Sequence, residues 1–257
     1  MFGWDEPWRV IAALVAGVVA GAVNSVAGGG TVISFPTLLW LGIPAVQANA
    51  TNAVALWPGS ASAAWGFRRE IAASARRWYW LLLPSLFGGG AGAWLLLRTP
   101  PDWFERLAPW LVIGASVLIA VEPVIRGRVG SGATAGSGKF RLVAAVLVVT
   151  LIAFYGGYFG AGIGILLLAT LGLLSVSDVH RANGLKNLYS VAIKGVAVGY
   201  FIVSSAVVWH AMLVMAVGAT AGGYVGAALG RRVEEATMRR LILAVGIGIG
   251  VVMLLRG

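Results

Sequence analysis

Ten apolar segments follow one another along this chain, most of them long enough to cross a lipid bilayer. A hydrocarbon core about 30 Å thick is spanned by roughly 20 apolar residues in a helix. In that medium a backbone satisfies its polar groups only as helices or as a closed barrel. Unbroken runs of this length predict an all-α polytopic membrane protein. The segments are read at 8–26, 31–43, 49–67, 78–97, 107–125, 140–159, 163–175, 183–204, 207–229 and 238–255. The second and seventh are too short to span, and each follows a glycine cluster. Charged residues make up 11% of the chain, against about 25% in a soluble domain. Lipid must therefore cover much of the surface.

The remaining composition excludes several classes. The net charge of +10 comes from arginines in short loops between apolar runs, the pattern that tracks membrane insertion, so nucleic acid is not an expected partner. The absence of cysteine removes disulfides, thiolate metal sites and a cysteine nucleophile. His180 and His210 lie far apart, which rules out a multi-histidine metal centre within the chain. No paired nucleophile and base stands out, so no enzyme, cofactor or metal is expected. Asp5 and Glu6 precede the first apolar run where a signal peptide would be basic. That run also has a counterpart later, which assigns it to the fold.

The stretch 126–139 (RGRVGSGATAGSGK) reads as a flexible aqueous linker. It divides the chain into a first repeat, 1–126, a cytoplasmic linker, 127–139, and a second repeat, 140–257. The first half contains Asn24-Ser-Val-Ala-Gly-Gly-Gly-Thr31, a short apolar run, then Gln47-Ala-Asn-Ala-Thr-Asn52. The second contains Tyr155-Gly-Gly-Tyr-Phe-Gly-Ala-Gly-Ile-Gly164, a short apolar run, then Arg181-Ala-Asn-Gly-Leu-Lys-Asn187. The ordered recurrence predicts duplication. Basic loops swap position between the halves: Arg68, Arg69, Arg76 and Arg77 follow the third segment, whereas Arg231, Arg232, Arg239 and Arg240 follow the ninth. Equivalent loops then face opposite sides of a cytoplasmic membrane, as in inverted-repeat transporters, with both termini outside.

Glycine clusters inside apolar sequence permit a turn with positive φ, and irregular backbone at membrane depth must line a cavity or be buried in protein. A helix beginning after such a break offers free N–H groups and a positive dipole end, a ready anion site. Gly28, Gly29 and Gly30 with Thr31 form one such break, and Gly160, Gly162 and Gly164 after Tyr155 form the other. Close helix packing is the alternative reading. It is the preferred one for Gly17/Gly21, Gly195/Gly199, Gly218/Gly222/Gly226/Gly230 and Gly246/Gly250, which recur every fourth residue. The polar groups inside apolar segments are Asn24, Ser25, Asn49, Thr51, Asn52, Asn183, Lys186, Asn187 and Lys194. Asn183, Lys186 and Asn187 share one helix face by their spacing. Both lysines lie at membrane depth with no acidic residue in their segment, the setting of residues that face a cavity; snorkelling to the interface is the alternative. Glu122, Asp178 and His180 are the candidates for coupling to protons. The tryptophans cluster at segment ends as interfacial anchors.

The run Gly21-Ala-Val-Asn-Ser-Val-Ala-Gly-Gly-Gly-Thr31, with Phe35-Pro36 and Ala50-Thr51-Asn52, resembles the sulfite exporter TauE/SafE family, as does Tyr155–Gly164 opening the second half. The resemblance implies a permease for sulfite, sulfonates or related organic anions, with about eight spans in two homologous halves. Ten apolar segments fit that pattern if the two short ones are half-helices. An anion channel and a membrane assembly factor are the alternative functions.

Overall fold

The computed structural model describes residues 6–26, 29–74, 76–129, 138–174, 176, 178–229 and 235–256. The helices are α1 (Pro7–Val26), α2 (Thr31–Trp40), α3 (Ala45–Gly66), α4 (Arg68–Ala72), α5 (Leu82–Arg98), α6 (Pro101–Val129), α7 (Gly138–Tyr158), α8 (Ile163–Leu173), α9 (Val179–Val203), α10 (Trp209–Leu229) and α11 (Glu235–Arg256), with a 3-10 turn at Arg76–Leu81. No strand occurs among the described residues.

The two short apolar runs are half-helices. α2 has 10 residues and α8 has 11, each about 15 Å long at 1.5 Å per residue, half of the hydrocarbon thickness. α2 stops at Gly42, whose φ of +86° ends the helix. There the Ile43 N–H donates to the Leu38 carbonyl at 3.1 Å, which satisfies an orphan acceptor of the last turn. α6 starts with Pro101 at its first position and Asp102 in its first turn, both favourable at a helix N-terminus.

Several boundaries differ from the sequence reading. α3 begins at Ala45 and α9 at Val179, each four residues before the segment read from hydrophobicity. Their first turns belong to the helix because Pro44 and Asp178 start it. α6 runs on to Val129 and α7 begins at Gly138, so helix occupies both ends of the stretch assigned to the linker. Residues 130–137 lie outside the described residues. The short helix α4, packed on α9, was not legible as an apolar segment.

α1 lies along α10, and α5 along α7; these are the most extensive helix pairings. Gly17 and Gly21 sit against the Met215 and Ala219 backbone, and Gly218 and Gly222 against Leu14 and Val18. Gly88 and Gly92 meet the Thr150 and Phe154 carbonyls on α7 in the same way. Small residues let backbones meet where the hydrophobic effect gives no drive. Gly246 and Gly250 face Ser116 and Ile113 on α6, as packing predicts. Gly195 rests on the Trp57 indole and Gly199 has no neighbour within 4 Å, so this pair forms no helix-contact ridge. Gly230, and the side-chain space around Gly226, lie outside the described residues.

The outward faces are apolar. Val15, Phe87, Leu147, Leu151, Leu213 and Val217 are all exposed. Among the described residues, three helical stretches, Pro7–Asn24, Trp78–Arg98 and Pro101–Val124, are long and apolar enough to cross a membrane. α3 and α9 are long but carry the polar residues discussed next, and they pack against each other through the middle of the molecule. The chain is a multi-pass membrane protein.

Candidate functional site

Each half-helix follows a chain break, and the two breaks are closed differently. At the first, between α1 and α2, the Gly30 N–H donates to Asn24 Oδ1 at 2.9 Å. The Val32 N–H donates to the Gly29 carbonyl, and the Ile33 and Ser34 N–H groups donate to the Gly30 carbonyl, each at 3.0 Å. The Ser34 hydroxyl lies between that carbonyl and Asn52 Oδ1. Gly30 has an ordinary right-handed φ of −55°. Gly29 and Gly30 therefore do not supply the left-handed turn expected of them. They are glycines because Ile119 crowds one, while the Ala20 carbonyl and Asn24 crowd the other. Thr31 is buried. Gly28 and the Ser25 side chain lie outside the described residues.

At the second break, between α7 and α8, Gly160 (φ +82°) and Gly162 (φ +74°) do adopt the left-handed conformation. Such a φ costs an L-residue about 1–2 kcal/mol. The Tyr155 carbonyl accepts the N–H groups of Phe159 at 2.8 Å and Gly160 at 3.1 Å, and the Tyr155 hydroxyl donates to the Ala161 carbonyl at 2.9 Å. Tyr155 thus holds the loop from inside. The N–H groups of Gly162, Ile163 and Gly164 donate to no backbone or side-chain acceptor among the described residues, as expected of an uncapped first turn. No side chain among the described residues caps α8.

Two lysines from α9 bracket this open turn. A Cβ placed on Gly164 would lie 3.5 Å from the Lys186 Cδ, and one on Gly160 would lie 4.0 Å from the Lys194 Cε. Both glycines therefore leave room for a lysine side chain. Lys194 is half-buried, sixteenth in α9, and takes part in no hydrogen bond or ion pair among the described residues. With α9 starting at Val179, Lys186 sits two turns inside the helix rather than one. Asn183, Lys186 and Asn187 are half-buried on this helix.

The amides on α3 tie the halves together. Asn49 Nδ2 donates to the Tyr158 carbonyl at 2.8 Å. Thr51 Oγ1 accepts the Val208 N–H at 2.9 Å, and Trp57 Nε1 donates to the Val191 carbonyl at 3.2 Å. Asn49, Thr51 and Asn52 are all buried. Ser34, Trp57 and the Tyr158 carbonyl were missed from sequence. Ser34 could have been found, since it follows Gly30 by one helical turn on a half-helix that faces α3.

The proton-coupling candidates separate. Asp178 is the N-cap of α9: its Oδ1 accepts the N–H groups of His180 at 2.9 Å and Arg181 at 3.1 Å. The hydrogen bond from the Arg181 N–H, that from His180 and the nearby Arg181 guanidinium hold its carboxyl below the usual range. Asp178 and His180 are exposed, whereas Glu122 is buried in α6. A cleft of roughly 1380 Å³ lies between α2, α6 and α11, with Thr37, Asp102, Glu105 and Arg106 in its lining. It includes none of the residues at either break.

A bundle of apolar helices enclosing two broken-helix elements, with buried amides and lysines beside them, defines a polytopic membrane protein of the transporter class. The profile of the family described as "Sulfite exporter TauE/SafE" matches residues 13–253. The chain belongs to that family. It is 28% identical to the "Probable membrane transporter protein ORF9" of Sinorhizobium sp over 96% of this chain and 93% of that protein. It is 28% identical to a "Probable membrane transporter protein" of Haemophilus influenzae over 82% of this chain and 81% of that one. Against the "Probable membrane transporter protein YfcA" of Escherichia coli the identity is 26%, over 88% and 80%. No solved structure matches. The protein is a membrane transporter.

Proposed function

We propose that this transporter carries a small sulfur-containing anion, sulfite or an organosulfonate, across the cytoplasmic membrane by alternating access. The observation that carries the reading is the open first turn of α8 bracketed by Lys186 and Lys194. Backbone N–H groups at a helix start, in a water-poor site, hold an oxyanion with little reorganisation. The lysines add point charge. Asn183 and Asn187 lie on the same stretch of α9, and the amides of α3 close the site from the other half.

The inverted repeat belongs to this proposal. Its support is that helix pairings come in matched sets when the halves are exchanged: α1–α10 with α5–α7, and α3–α10 with α5–α9. Rocking of one half against the other would expose the anion to each side in turn, with Glu122 the candidate proton carrier. Uptake of labelled sulfite, thiosulfate, sulfoacetate, taurine and a carboxylate control by proteoliposomes, with and without a proton gradient, tests the reading. Saturable, gradient-dependent flux of a sulfur anion supports a coupled carrier. Non-saturating flux would replace it with an anion channel, and no flux from folded protein with an assembly factor.

A further inference from the structure

Asn49 has one atom too many for the structure around it. The residue is 1% exposed. Its Nδ2 donates to the Tyr158 carbonyl at 2.8 Å, which fixes the orientation of the amide, since a flipped group would set two acceptors against each other. Its Oδ1 is buried with no hydrogen-bond partner among the described residues. Nearby polar groups of α3 differ: Asn52 Oδ1 meets the Ser34 hydroxyl and Thr51 Oγ1 meets the Val208 N–H. Buried acceptors are nearly always paired, and one that is not points to a group the protein itself does not supply.

The position of this acceptor gives it meaning. Tyr158 is the last residue of α7, and the open turn begins a few residues later at Gly162. Oδ1 belongs to the same amide as the Nδ2 that meets the Tyr158 carbonyl, so it lies at the α7 end of the break whose N–H groups and lysines are proposed to hold the anion. Those groups are all donors. Oδ1 is an acceptor only. A fully deprotonated oxyanion without further substituents satisfies the donors and leaves Oδ1 unpaired.

We infer that the transported anion also carries a hydrogen-bond donor, which Asn49 Oδ1 accepts while the α8 turn and the lysines hold the anionic head. The matching chemistry is a hydroxy- or amino-substituted sulfonate. Asn49 is then the residue that sets specificity within the anion class. The inference rests on the proposed function, because without an anion at α8 there is nothing to orient the donor.

Two matched pairs test it: 2-hydroxyethanesulfonate against ethanesulfonate, and glycolate against acetate, bound to the full-length protein in lipid nanodiscs. In the wild-type protein the hydroxyl compound of the pair that binds is expected to bind about tenfold tighter or more, the scale of leaving a buried acceptor unpaired. Asn49→Leu should bring the ratio to within about twofold. The wild-type comparison stands even if that variant does not fold. Equal affinities within a pair that binds would mean that water satisfies Oδ1, overturning the inference and leaving the anion site intact. Binding of sulfite but of neither pair would overturn the inference and leave the anion site intact, and binding of none of these anions would overturn both.

Discussion

The two broken-helix elements occupy equivalent places in the two halves and have opposite chemistry. At the α1–α2 break the protein closes part of the turn itself: Asn24 takes the Gly30 N–H, and Ser34 bridges to Asn52. At the α7–α8 break the first-turn N–H groups are left open, the turn needs two left-handed glycines, and lysine side chains stand where the first half has none. By counting from the matched asparagines, Lys186 corresponds to Asn52. The first break is thus lined by neutral groups and the second by cationic side chains. A lysine beside the first break as well would add a buried charge with nothing to offset it.

The largest expected effect sharpens this contrast. Lys194→Met keeps the length and apolar stem of the side chain and removes its charge. Because Lys194 makes no hydrogen bond among the described residues, the variant should fold with an unchanged unfolding midpoint. Its anion affinity should fall by about 100-fold or more, the scale of losing a desolvated charge partner, roughly 3 kcal/mol. Binding titration with sulfite and a thermal melt check the two halves of that statement.

Asn24→Ala should do the opposite. It strips the acceptor from a buried N–H, at a cost of about 1–3 kcal/mol in stability, while anion affinity stays within about threefold. A thermal melt together with the same titration reads this; a large loss of affinity at normal stability would break the contrast between the two breaks. Gly162→Ala comes next. It forces an L-residue to a φ of +74° with Leu118 Cδ2 3.1 Å from its new Cβ, costing about 1–2 kcal/mol, and it should weaken binding because the N–H groups shift. Gly42→Ala, at a φ of +86° with open space around it, is the control: similar strain, unchanged affinity.

The smallest effect is at the Asp178 cap. Its folded carboxyl is held below the usual range, so it contributes stability while ionised above that range and loses it as pH falls through the lowered value. The protection of the His180, Arg181 and Ala182 amides relative to their intrinsic exchange rate at each pH should therefore fall on acidification from about pH 6 to about pH 3. Asp178→Ala should show the lower protection throughout.

The helices and both half-helices were legible because apolar run length carries them. So were the contact glycines of α1 and α10, whose spacing of four repeats on one face. Helix starts were not, because Pro44 and Asp178 set them through backbone geometry and capping, with no hydrophobic signal. That error placed Lys186 one turn too shallow. The glycine clusters look alike in sequence, yet Gly30 is right-handed and Gly162 left-handed. Composition does not encode which N–H groups a distant asparagine consumes. The pairing of Asn49 with Tyr158, 109 residues away, is likewise a product of the tertiary fold.

The central claim is that backbone N–H groups at the start of α8 hold the anion. Hydrogen–deuterium exchange on the wild-type protein in nanodiscs, with and without saturating sulfite, reads those groups directly. The account predicts slowed exchange at the amides of Gly162, Ile163 and Gly164, with Gly29, Gly30 and Thr31 unchanged. Protection at Gly29–Thr31 instead, or none at α8 while sulfite is shown to be bound, would contradict it.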